Sequence, residues 1–146
     1  MTDLSKMPPS EEFKRAVGSA LGLARVSPDE AVRYMVDFVP VYVQAAPTYE
    51  QAAAGGCPTC TYLGLWVDRW PGYPTAPHGS IFLFEDGIRK YSPDVYKQAY
   101  ATLIHEMDHA LQRDHVLQGL QRAKAAGWGV QARPQRSGCG SCFGAR

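Results

Sequence analysis

This sequence of 146 residues has no strong excess of charge of either sign and no long apolar run. Its 15 basic and 14 acidic residues give a net charge of +1, which excludes a strong overall attraction to nucleic acid or to a membrane surface. The longest apolar run, residues 36–46, contains Pro40 and is too short to span a membrane. Residues 1–15 contain no apolar stretch that would serve as a signal peptide. We therefore expect a cytoplasmic protein that does not enter a membrane.

The spacing of apolar residues predicts two N-terminal helices followed by two strands. Helical patterns cover residues 10–24 and 27–39; the second starts with Ser27 as N-cap and Glu30 closing a capping box, and Pro40 ends it. Residues 45–60 are predicted to form a loop. Residues 61–68 and 80–85 are rich in β-forming or apolar residues and predict strands. Asp94 and its neighbours are predicted to cap a third helix, and residues 116–126 predict a fourth.

The order of these elements predicts a single small α+β domain over residues 1–146. The apolar fraction of 45% and the charged fraction of 20% are ordinary for a globular protein. Neither an internal repeat nor a domain boundary is evident in the sequence. We expect the core at about residues 57–119 and a C-terminal tail at residues 120–146.

The third predicted helix contains the motif His105-Glu106-Met107-Asp108-His109. Residues four apart lie on the same face of a helix, so that both imidazoles can reach one metal ion. Glu106 lies about 100° around the helix and is better placed to take a proton from water on the metal. Zinc lowers the pKa of such a water to about 7 and polarises a substrate carbonyl. The motif therefore predicts a catalytic zinc with Glu106 as general base.

The rest of this helix has the amphipathic pattern that a cleft-lining helix needs. One face is predicted to pack in the core, with the two histidines on the opposite face beside Gln98 and Thr102. The predicted apolar stripe consists of Tyr96, Tyr100, Leu103, Met107 and Leu111.

A catalytic zinc needs a third protein ligand, and no glutamate follows His109 in the sequence. The nearest candidates are Asp114 and His115. His115 stands six residues after His109, and six residues of continuous helix would carry it about 9 Å along the axis. The chain must therefore leave the helix between Ala110 and Arg113 for His115 to reach the same ion.

Residues 105–115 resemble the HExxHxxGxxH motif of the metzincin branch of zincin metallopeptidases. The resemblance implies a zincin-like fold, a zinc-dependent peptidase activity on a peptide or protein substrate, and His105, His109 and His115 as ligands. Gln112 stands where that motif has glycine, and no methionine follows Met107 to form the family's Met-turn. Small bacterial zincins use an aspartate in a similar place, which keeps Asp114 open.

Zincins commonly use the strand before the motif helix as the rim of the cleft, where it pairs with extended substrate. Residues 81–85 occupy that position in the sequence and are predicted either to bind substrate in this way or to form a plain core strand. His78 and the upstream tyrosines are candidates for stabilising the oxyanion, and nothing in the sequence selects among them.

Two C-x-x-C pairs, Cys57 with Cys60 and Cys139 with Cys142, resemble zinc knuckles. In a reducing compartment such pairs are metal ligands more often than disulfides. We expect the four cysteines to form one structural zinc site that ties the tail to the loop before the first strand. Disulfides, a redox-active pair and an iron–sulfur centre are the alternatives.

Two other functions remain open from the sequence. A DNA-associated protease similar to the SprT/Spartan type also combines HExxH with cysteine pairs, but those proteins place both pairs after the motif. A metal-stabilised structural or interaction subunit without turnover is the non-enzymatic alternative. Basic residues without acidic ones follow Asp114, which suggests nucleic acid or an acidic protein as a further partner of the tail.

Overall fold

The computed structural model of this chain describes residues 7–70, 72, 78–113 and 118–119. These residues form five helices and a three-stranded sheet, which confirms the α+β class. In chain order the elements are α1 (Glu11–Arg25), α2 (Glu30–Phe38), β1 (Val41–Gln44), α3 (Tyr49–Ala54), β2 (Gly64–Val67), β3 (Ser80–Phe84), α4 (Glu85–Tyr91) and α5 (Val95–Arg113). None of the helices described is both long and apolar enough to cross a membrane.

The N-terminal helices form largely where the pattern predicts them. Ser10 caps α1 by accepting a hydrogen bond from the Phe13 N–H at 3.1 Å. The predicted N-cap of the second helix is wrong, because Asp29 rather than Ser27 caps α2, accepting from the Ala31 N–H at 2.9 Å. The hydroxyl of Ser27 instead accepts from the Asp29 N–H and fixes the turn that leads into the helix.

The sheet has the order β1-β3-β2, with β3 parallel to β1 and antiparallel to β2. All five residues of β3 are buried, so the second predicted strand is a core strand. The expectation that residues 81–85 pair with substrate is wrong, because both edges of β3 are already occupied by strands. Glu85 also leaves the strand and begins α4.

Helix α5 packs against α1 on one side and against β2 and β3 on another. Tyr96, placed in the apolar stripe by the sequence pattern, is instead 42% exposed, while Thr102 and Glu106 are buried on the sheet side. The buried face of α5 comprises Val95, Ala99, Thr102, Leu103, Glu106, Met107, Asp108, Ala110 and Leu111. The buried face of α5 is thus rotated toward the sheet compared with the apolar stripe predicted from the sequence.

Three short elements were missed in the sequence. Residues 45–60 are not entirely a loop, because Thr48 and Gln51 form a capping box that starts α3. β1 and α4 also fall where no element was predicted. The predicted cap of α5 is confirmed, since Asp94 Oδ1 accepts a hydrogen bond from the Lys97 N–H at 3.1 Å. Most of the predicted fourth helix, the tail and its cysteines lie outside the described residues.

Candidate metal and active site

The two motif histidines lie next to each other on α5, as their spacing predicts. The ring centroids of His105 and His109 are 5.3 Å apart, with their planes at 68°. Both side chains are half-buried, so they are reachable from solvent but held by the surrounding fold. Two imidazoles one helical turn apart are suitable nitrogen ligands for a single zinc ion. The donor chemistry and the placement of this pair therefore fit the metal that the motif implies.

Glu106 is only 1% exposed and lies on the side of α5 that faces β2. The close approach of strand and helix depends on Gly64. A Cβ atom placed there would lie 2.9 Å from Thr102 Cγ2 and 3.2 Å from Glu106 Cγ. The absence of a side chain at Gly64 thus lets the start of β2 rest directly on the carboxylate-bearing turn of α5.

Two polar atoms of this turn are buried. His105 Nε2 and Glu106 Oε2 are buried, and within the described part of the chain no hydrogen bond reaches either atom. Both residues take part in further interactions. Asp108, whose side chain is 4% exposed, adds a second buried carboxylate to the same helix.

The pKa of His109 is lowered from its ordinary value of 6.5. Burial of the imidazole is the main cause, because it disfavours the charged form, and the positive charge of Arg113 adds to the effect. The neutral imidazole is the form that binds a metal ion. The environment of His109 therefore favours its ligand form near neutral pH.

The predicted third ligand, His115, lies outside the described residues, and so does its alternative Asp114. Within the described ranges no group of three or more His, Cys, Asp or Glu side chains is arranged to hold a metal ion. The described chain thus supplies two histidines, and a third ligand stays a prediction for residues 114–115.

Cys57 and Cys60 are joined by a disulfide in the turn between α3 and β2. In this oxidised form neither sulfur is a thiolate, so the pair must be reduced before it can bind the predicted structural zinc. Tyr62 fixes the same turn, since its hydroxyl donates to the Ala52 carbonyl at 2.9 Å and accepts from the Cys57 N–H at 3.1 Å. The predicted partners Cys139 and Cys142 lie outside the described residues.

A cavity of about 550 Å³ that the sequence analysis missed adjoins His105. It runs along α5 and is bounded at one side by Tyr91 at the end of α4. The sequence did contain one indication of this cavity. Residues 97, 101 and 105 are spaced by four, which places them on one face of α5. The residues that characterise this groove are Tyr91, Lys97, Gln98, Tyr100, Ile104 and His105.

His78, named from the sequence as a candidate for the oxyanion, is 6% exposed and packs against α2. Its Nε2 lies 3.3 Å from the Tyr34 hydroxyl. It precedes β3 at the Ser80 end of the sheet, whereas Gly64, next to Glu106, pairs with Leu83 at the other end. This position gives no support to a role beside Glu106.

No protein-family model matches this chain, and no curated protein matches it either. The resemblance to zincin metallopeptidases therefore rests on the motif residues of the sequence alone.

Proposed function

We propose that this protein is a zinc-dependent metallopeptidase. His105 and His109 hold the zinc ion together with His115 or Asp114, and Glu106 acts as general base. The observation that carries the proposal is the pairing of two half-buried histidines on one face of α5 with a buried glutamate on the adjacent face.

Zinc bound at this pair would supply a Lewis acid that acidifies water and polarises the scissile carbonyl. The protein residues provide the proton transfer and the geometry. Glu106 would accept the proton of the attacking water and pass it to the leaving amine, and its burial strengthens these electrostatic interactions. A glycine at position 64 leaves room for the Glu106 side chain, since a Cβ atom there would lie 3.2 Å from Glu106 Cγ.

The sheet packs directly against the turn of α5 that carries Glu106. β2 is an edge strand of the described sheet, and its first residue, Gly64, lies against Glu106 and Thr102. Gly64 and Leu65 are buried, so this end of β2 supports Glu106 and does not pair with substrate. The proposal places the substrate in the cavity that adjoins His105.

The decisive experiment is zinc-dependent cleavage of a peptide library by the wild-type protein and by Glu106→Gln. We expect Glu106→Gln to bind zinc, to keep the native fold by circular dichroism, and to lose about 10²–10⁴-fold in turnover. Glu50→Gln, at an exposed position on α3, is the matched control and should cleave like the wild type.

Full activity of Glu106→Gln would refute its role as base. A zinc content that is not lower by one ion per chain in His105→Ala than in the wild type would refute the metal site. A protein that binds zinc but cleaves no member of the library would favour the structural or interaction subunit instead.

A further inference from the structure

The groove beside His105 combines apolar walls with one positive charge. Tyr91, Tyr100 and Ile104 contribute aromatic and aliphatic surface, which suits apolar side chains of a bound segment. Lys97 is exposed and lines the groove, and no acidic residue lines its described part. The groove is therefore complementary to a chain that carries apolar groups and a negative charge.

The distance between the lysine and the candidate metal site is set by the helix. Lys97, Ala101 and His105 follow one another at intervals of four residues, and eight residues of α5 rise about 12 Å. An extended peptide covers that distance in about three to four residues at roughly 3.3 Å each. A segment with its scissile bond at His105 would thus bring a side chain three or four residues away next to Lys97.

Lys97 lies in the first turn of α5, where the capping carboxylate of Asp94 offsets the positive end of the helix dipole. The first turn of a helix carries the positive end of its dipole, and α5 has no acidic residue in that turn. Asp94, just before the helix, uses Oδ1 to cap the Lys97 N–H. Because Asp94, Tyr96 and Lys97 are exposed, a bound chain can continue past this point instead of ending there.

We propose that this groove binds an extended peptide substrate with an acidic side chain three or four residues from the scissile bond, and that Lys97 is the residue that selects it. This inference rests on the proposed peptidase function. Gln98 strengthens the wall of the groove, since its Nε2 donates to the Thr102 hydroxyl at 3.1 Å and so fixes the amide beside the path of the peptide.

The test compares peptides that are identical except for Glu or Gln at that position, all with amidated C-termini. The wild type should cleave the Glu peptide with a kcat/KM about two- to five-fold higher, the effect of one partly exposed ion pair. Lys97→Met should abolish the difference and Lys97→Glu should reverse it. Lys14→Met, on the exposed face of α1, is the control and should keep the wild-type preference.

A second variant tests the path of the peptide without changing charge. Ala101 lies between Lys97 and His105 in the groove, so Ala101→Trp should fill it and weaken binding of both peptides. Binding is measured by fluorescence anisotropy on the Glu106→Gln protein, which separates recognition from turnover. The same peptides with a free C-terminal carboxylate are compared with the amidated ones. If Lys97 favours only peptides with a free C-terminus, the negative charge it recognises is not an internal acidic side chain.

The two proposals fail in different ways. Cleavage of the Glu and Gln peptides at equal kcat/KM would overturn the role of Lys97 and leave the peptidase intact. Lys97-dependent binding without cleavage by the wild type would refute the peptidase and retain the acidic-peptide site. Equal binding of both peptides with no cleavage would refute both.

Discussion

The three motif residues place different demands on the fold. His105 and His109 meet because of helix geometry alone, since residues one turn apart share a face. Glu106 requires tertiary structure as well, because its 1% exposure depends on β2 covering that side of α5. A buried carboxylate costs free energy unless its surroundings compensate the charge. The position of Glu106 is therefore set by the packing of β2 on α5 and not by helix geometry alone.

At the residue scale, the identity of the third zinc ligand is open to a direct test. We expect His115→Asn to weaken zinc binding by more than about 100-fold, because even changes to outer-shell partners of a zinc ligand cost about 10–100-fold. Asp114→Asn is the matched neighbour and should change the affinity little. Competition with a chromophoric chelator measures the zinc dissociation constants of the two variants. If Asp114→Asn causes the large loss instead, the aspartate is the ligand and the metzincin-like spacing has no role.

The motif was predictable from the sequence and its surroundings were not. The i, i+4 spacing of the histidines is local, so the helix alone determines their separation. The environment of Glu106 depends on Gly64, which is distant in sequence, and no local pattern signals that contact. Tyr96 illustrates the same limit, because a helical stripe shows which residues are apolar but not which neighbour each will meet.

At the scale of elements, the contact between β2 and α5 holds the candidate site together. Strand β3 could not be identified as central from its sequence, because a short apolar run is compatible with either an edge or a buried strand. β1 escaped prediction since its four residues are only half-buried and follow Pro40 directly. Pairing partners distant in the chain decide these assignments, so the sheet order β1-β3-β2 became known only from the fold.

Gly64→Ala tests the close approach of strand and helix. The added methyl group would lie 2.9 Å from Thr102 Cγ2, so β2 or α5 must shift, and we expect a loss of about 1–3 kcal/mol in the free energy of unfolding. Peptidase activity should fall as well, because the shift moves Glu106. Thr102→Ser removes the nearest atom, and in the double variant it should recover part of the loss in a denaturant titration. Additive effects of the two substitutions would contradict this contact.

A second element-scale prediction concerns the junction of α1 and α4. Glu85 accepts hydrogen bonds from the Ser10 N–H at 2.8 Å, the Ser10 hydroxyl at 2.6 Å and the Arg89 Nε at 2.7 Å. Burial acts to raise the pKa of Glu85, but these hydrogen bonds and the charge of Arg89 together leave it below its ordinary value of 4.5. The ionised form is thus favoured by folding.

The sign of this shift sets the pH dependence of stability. Because the pKa of Glu85 is lower in the folded state, its contribution is complete above pH 4.5 and is lost as the pH falls through the lowered value. The difference in unfolding free energy between the wild type and Glu85→Gln should shrink in that range, from a value of no more than about 1 kcal/mol. Urea titrations at several pH values measure it, with Glu50→Gln as control. A difference independent of pH would contradict the linkage.

At the scale of the whole molecule, the main question is how the tail relates to the described domain. The two C-x-x-C pairs predict a zinc site of four cysteines, yet Cys57 and Cys60 are bonded to each other in this structure. The two arrangements exclude each other at any one time, because only the reduced pair supplies thiolates. Reduction of this turn would therefore be required before Cys139 and Cys142 can join it at one metal ion.

We expect the reduced, zinc-loaded protein to contain two zinc ions per chain, one of which depends on all four cysteines. Cys139→Ser should lower the zinc content to one per chain and lower the Tm, because the loss of the four-cysteine site frees the tail from the turn before β2. It should not affect the zinc at His105 and His109, so peptidase activity per folded molecule is expected to persist. On the same sample, metal analysis measures the zinc content, calorimetry measures the Tm, and the cleavage assay measures the peptidase activity. The shared site would be ruled out if Cys139→Ser still bound two zinc ions per chain. It would also be ruled out if a disulfide joined Cys139 and Cys142 in protein kept with reductant and zinc. Either result would mean that the two cysteine pairs are independent.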